Sequence, residues 1–109
     1  MPRDLPMYKL SYFVPQEAKE KTKKALFEIG AGKFNNYEEC AFETLGRGQF
    51  KAINEAKPYI GSIDKVAYVE EYKVEMICSD ELIKKAVAVL KEAHPYEEVA
   101  YEVIKLEDF

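Results

Sequence analysis

The amino-acid sequence predicts an α+β fold, a two-layer βαββαβ sandwich forming one domain over residues 1–109. Three observations carry that prediction. Alternating apolar residues give way to helical spacing twice along the chain, at Pro15 and again near Ser79. Each helical stretch ends at a strong stop, Gly30-Ala31-Gly32 in the first case and His94-Pro95 in the second. The two units also match in sequence at a constant offset: Tyr8-Lys9-Leu10 with Tyr72-Lys73-Val74, Glu17 and Lys21 with Glu81 and Lys85, Leu26 and Glu28 with Leu90 and Glu92.

The elements follow in order. Residues 1–6 read as a flexible, proline-bearing lead. A strand is expected over 8–14, with Tyr8, Leu10, Tyr12 and Val14 on one face and Lys9, Ser11 and Phe13 on the other. Pro15 stops it and suits a helix start, and Ala18, Thr22, Ala25, Leu26 and Ile29 make the apolar stripe of a helix over 16–29. Strands at 40–45 and 49–53 flank Gly46-Arg47-Gly48, which reads as a tight hairpin turn. A loop punctuated by Pro58-Tyr59-Ile60-Gly61 leads to a long strand over 65–78, with Val66, Tyr68, Tyr72, Val74, Met76 and Cys78 on one face. Glu70 interrupts that face and predicts a bulge or a change of environment. Ser79-Asp80-Glu81 is the expected cap of a helix over 80–93, whose stripe is Leu82, Ala86, Val89, Leu90 and Ala93. A last strand closes the sheet over 98–106. The two halves make a ferredoxin-like sandwich, both helices on one side of an antiparallel sheet, with the extra hairpin between them.

Composition narrows the function. A net charge of −4 argues against a nucleic-acid partner, since phosphate binding needs a basic face. The run Lys19-Glu20-Lys21-Thr22-Lys23-Lys24 reads as a solvated helix face. No apolar run has the roughly 20 residues of a membrane span, and the first residues lack the apolar core of a signal peptide. Two cysteines, Cys40 and Cys78, suggest neither a disulfide framework nor a zinc knuckle; both are expected to be small buried hydrophobes. A reducing cytoplasm is the expected compartment.

Several landmarks resemble the domain inserted in NIF3-like (YqfO) proteins, itself similar to the CutA and PII signalling folds. They are Phe13-Val14-Pro15, Ala25-Leu26-Phe27, Gly30-Ala31-Gly32, Asn36-Tyr37, Cys40-Ala41-Phe42, Gly46-Arg47-Gly48-Gln49-Phe50, Pro58-Tyr59-Ile60-Gly61 and His94-Pro95-Tyr96-Glu97-Glu98. The last also looks like the helix-exit motif of CutA proteins, except that Val99 stands where a proline commonly follows. The resemblance implies a trimer with edges paired between subunits. It also implies a divalent-metal reading, copper or zinc at His94, and a separately encoded NIF3-like core as a further partner. The two-metal site of the larger NIF3-like proteins lies in flanking domains, so no hydrolase-like chemistry carries over to this stretch.

The candidate site residues are His94, Tyr96, Glu97, Glu98, Tyr37 and Arg47. His94, the one histidine, offers a metal ligand beside Glu97 or Glu98, or a ring nitrogen covering free carbonyls at a helix end. Capping is the favoured reading, because one histidine cannot supply a four-ligand zinc site. Tyr96 and Tyr101 either line a pocket or an intersubunit contact, or simply cover the sheet. Glu97 and Glu98 as neighbours on a strand point apart, so an exit loop is favoured over an acid/base pair. Arg47 between its glycines suits a turn better than an anion cradle, lacking the lysine and helix of a phosphate loop. No nucleophile–histidine arrangement can be built, and a non-enzymatic, self-associating module that binds a small ligand or partner protein at subunit seams is the expectation.

Overall fold

The computed structural model describes residues 6–109; of the expected flexible lead over 1–6, all but Pro6 lies outside the described residues. The chain forms β1 (Met7–Pro15), α1 (Gln16–Glu28), β2 (Phe42–Lys51), β3 (Val66–Ser79), α2 (Ile83–Ala93) and β4 (Tyr101–Leu106). The strands form one antiparallel sheet in the order β2-β3-β1-β4. The ferredoxin-like α+β arrangement is therefore the one the repeat predicts.

The alternation in β1 and β3 decides which face is covered. Leu10, Tyr12 and Val14 pair across the sheet with Met76, Val74 and Tyr72. This face joins Leu26, Ala86 and Leu90 in a single core. Tyr12 is fully buried with its hydroxyl 2.9 Å from Thr22 Oγ1, so its polar end is satisfied inside that core. Helix α1 ends as its glycines require: Gly30 takes φ +102°, its N–H bonds Phe27 O at 3.0 Å, and Ala31 N–H bonds Leu26 O at 3.1 Å. Helix α2 ends where Pro95 pushes His94 into extended backbone, its N–H still donating to Leu90 O at 2.9 Å.

Four local expectations are corrected. Gly46-Arg47-Gly48 makes no turn but lies within β2, which pairs continuously with β3 from Phe42↔Glu75 to Lys51↔Val66. That unbroken register also leaves no bulge at Glu70. The environment does change there, because β1 ends opposite Glu71 while β2 and β3 run on as a ribbon, giving a body 49 × 24 × 22 Å. Ser79-Asp80-Glu81 does not cap α2; Asp80 instead accepts the Tyr8 hydroxyl at 3.2 Å, and the helix starts at Ile83, itself buried. The basic run on α1 is only partly solvated. Lys19 is buried, and Lys19 and Lys23 reach Glu43 of β2 at 2.7 and 2.8 Å, tying that strand to the helix. Those two lysines, Lys19 first, hold the Glu43 carboxyl below the usual range.

Candidate functional site

The uncovered face of the sheet carries Lys9, Ser11 and Phe13 of β1 and Lys73, Glu75 and Ile77 of β3. Against one end of it, the chain leaving α2 turns back toward β4, and His94 sets that turn. Its Nε2 lies 2.7 Å from Phe13 O, and its Nδ1 accepts the Tyr96 N–H at 3.1 Å. A carbonyl only accepts and an amide only donates, so the ring is neutral with its proton on Nε2. Burial, at 5% exposure, holds its pKa below the ordinary imidazole value, with the Phe13 bond opposing. The ring covers a strand carbonyl rather than the end of α2, which only the His94 backbone N–H caps.

This arrangement fixes Tyr96, whose ring packs 4.7 Å from that of His94. Tyr96 lies beside Tyr59 of the β2–β3 loop, with centroids 6.1 Å apart. Its hydroxyl donates to Glu71 Oε2 at 3.4 Å. Burial, then the neighbouring Glu71, pushes the Tyr96 hydroxyl up to about 12. Burial likewise raises Glu71, against the hydrogen bond from Tyr96. Glu97 holds the opposing loop in place by accepting the Lys57 N–H at 2.6 Å. Between these segments lies a cleft of about 400 Å³, walled by Phe13, Phe50, Tyr59 and Tyr96 with Glu71 and Glu98 at its polar side.

Of the residues singled out in the sequence, Tyr96, Glu97 and Glu98 come together in this cleft, and His94 stands behind them as their support. Tyr101 instead packs on the core. Tyr37, 73% exposed, forms a tight turn with Phe34 away from the cleft. Arg47 lies over the Tyr68 ring at 4.2 Å on the projecting ribbon, and neither Tyr37 nor Arg47 lines the cleft. Cys78 is buried as expected, but Cys40 is half-exposed, because it sits in the loop ahead of β2 rather than in a strand. Sequence reasoning missed Glu71, Phe50 and Tyr59. Glu70 drew attention instead, since it breaks an apolar pattern and Glu71 does not.

The residues around His94 do not fit a metal cradle. Both ring nitrogens are engaged, and among the described residues no group of three or more His, Cys, Asp or Glu side chains is placed to hold a metal ion.

The fold and cleft define a small α+β sandwich with an aromatic, acidic cleft at a helix exit. No protein-family model matches the chain. Its sequence is 39% identical over 99 residues to the GTP cyclohydrolase 1 type 2 homolog of Staphylococcus epidermidis, covering 91% of this chain and 27% of that protein. The crystal structure of a Bacillus cereus protein related to NIF3 superposes with a TM-score of 0.80 at 34% identity, covering 98% of this chain and 27% of the other. The divalent ion tolerance protein CutA1 of Ehrlichia chaffeensis, 16% identical, shares the fold with a TM-score of 0.69 over 98% of this chain and 87% of its own. The chain shares its fold with CutA1, and it is similar to NIF3-related proteins over about a quarter of the length of the curated relatives. Their name corrects one expectation. A GTP cyclohydrolase label is an enzyme-family label, so the module does not stand apart from enzyme families as a non-enzymatic class.

Proposed function

We propose that the chain is a self-associating binding and regulatory module of the NIF3/CutA-like type that takes a small ligand in the cleft beside Tyr96. The observation that carries this reading is the cleft itself. It is assembled from β1, the β2–β3 loop and the exit of α2, and it is about 400 Å³, within the size range of small-molecule sites. Its floor is the uncovered sheet face, which also carries exposed Phe42 and Ile104, 68% and 52% exposed. Apolar surface of that kind on a sheet face is what association covers, and a trimer placing the cleft near a subunit seam is the assembly we propose. The partner protein we propose is a separately encoded NIF3-like core.

Amide NMR during a screen of small fragments of mixed charge tests the binding role. Hits are expected to shift Phe13, Tyr96 and Glu98 together. Hits scattered over the surface, or clustering on the helices, would refute the cleft as the site. Copper and zinc titrations on wild type and His94→Ala separate the metal reading, which predicts binding that the substitution abolishes.

A further inference from the structure

Glu71 occupies an unusual position in the cleft. It lies on the uncovered face opposite Gly46 in the β2 ladder, and its carboxyl rests against Gly48. A Cβ at Gly48 would run into that carboxyl, so the glycine is the gap that lets Glu71 lie flat beneath the cleft. One carboxylate oxygen takes the Tyr96 hydroxyl. Among the described residues the other, Oε1, has no hydrogen-bond or ion-pair partner, although Lys9, Lys19 and Lys23 all find carboxylates elsewhere. Among the described residues no buried side-chain oxygen lacks a partner, so Oε1 is not a buried atom, and Glu71 lines the cleft.

The surroundings share one character. Glu71, Glu97 and Glu98 are all in the lining of the cleft, where among the described residues Lys51 is the one basic residue. The walls are aromatic rings, and Lys73 already lies over the Phe13 ring at 6.0 Å. Carboxylates attract an ammonium, and ring faces attract it too through their quadrupoles. A carboxylate or phosphate would instead be repelled and desolvated. Resting on the proposed binding cleft, we infer that its ligand is an organic cation: a primary amine whose ammonium meets Glu71 Oε1 and whose apolar body lies between Phe13, Phe50, Tyr59 and Tyr96. Gly48 is a positioning residue for that carboxylate.

Three isosteres test this on the full chain by titration calorimetry with amide NMR: 2-phenylethylamine as cation, 2-phenylethanol as neutral and phenylacetate as anion. GTP, the nucleotide in the relatives' name, serves as a second anion. The amine is expected to bind in the cleft and the anions not. Glu71→Gln should weaken the amine about tenfold or more, as expected for one charge-assisted hydrogen bond, and leave 2-phenylethanol unchanged. Gly48→Ala should weaken the amine by displacing Glu71, with the fold checked by circular dichroism. Phenylacetate or GTP binding in the cleft as tightly as the amine overturns the inference while keeping the binding cleft. An amine affinity indifferent to Glu71→Gln does the same. No cleft shifts with any of the four probes would overturn both.

Discussion

The two faces of the sheet follow different rules. On the covered face, Leu10, Tyr12, Val14, Val74 and Cys78 are fully or almost fully buried, and among the described residues every buried side-chain nitrogen or oxygen has a partner. On the uncovered face, apolar Ile77 and Phe13 alternate with Lys9, Lys73 and Glu75, and the Lys9–Glu75 pair at 2.9 Å stays half in solvent. The first face repeats in both halves of the chain, and the second repeats only in part, with Lys9 and Phe13 at the offset of Lys73 and Ile77. Stability lives where the halves agree. The proposed binding cleft lies where they differ, because only the second half leaves its helix through His94-Pro95-Tyr96 and only β2 and β3 extend past the core.

The sharpest break in this comparison is expected on the covered side. Leu26 and Leu90 occupy matching places on α1 and α2 and are fully buried. Replacing either with alanine is expected to cost about 2–5 kcal/mol in chemical denaturation, for lost burial plus the cavity left behind. Two nearly neutral results would mean that the core does not lie between these helices and the sheet.

His94 bridges the faces, and its substitution is expected to have an intermediate effect. His94→Ala removes an acceptor from Tyr96 N–H and a donor from Phe13 O, at about 1–3 kcal/mol. Its pH dependence has a definite sign. With the folded pKa held below 6.5, the unfolded chain takes up the proton first. Stability from the neutral ring is whole above about pH 6.5 and is lost as pH falls through the folded value. Glu71, raised by burial, contributes in the opposite sense over the acid range. Urea unfolding across that range should show the wild type losing more stability on acidification than His94→Ala. Equal pH profiles would remove the neutral-ring assignment.

The smallest effect on folding should come from the uncovered face. Phe42→Glu and Ile104→Glu lie at exposed positions and are expected to shift monomer stability by about 0.5 kcal/mol or less. Sedimentation velocity, however, should show the wild type as an oligomer at micromolar concentration and the double variant as a smaller species with unchanged helical signal. A wild type that sediments as a monomer would leave the uncovered face with no partner copy.

What the sequence determined by itself is the covered half of this molecule. Alternation in β1 and β3, the 3.6-residue stripes through Leu26 and Leu90, the glycine stop at Gly30 and the His94-Pro95 exit are local patterns, and each is dictated by backbone geometry over a few residues. The internal repeat then set the order of the elements. The failures were tertiary. Gly46-Arg47-Gly48 carries the signature of a turn, yet it lies within a strand where Gly48 makes room for the Glu71 side chain of β3, a need that no neighbour in sequence reveals. Lys19 looks solvated until Glu43 arrives from β2. Glu71, Phe50, Tyr59 and Tyr96 are spread over two strands, a loop and a helix exit, and no period links them. They meet because the β2–β3 ribbon outruns β1 and its loop folds back onto the turn that His94 holds. That closure depends on distances between elements, and residue spacing along a chain does not encode those distances.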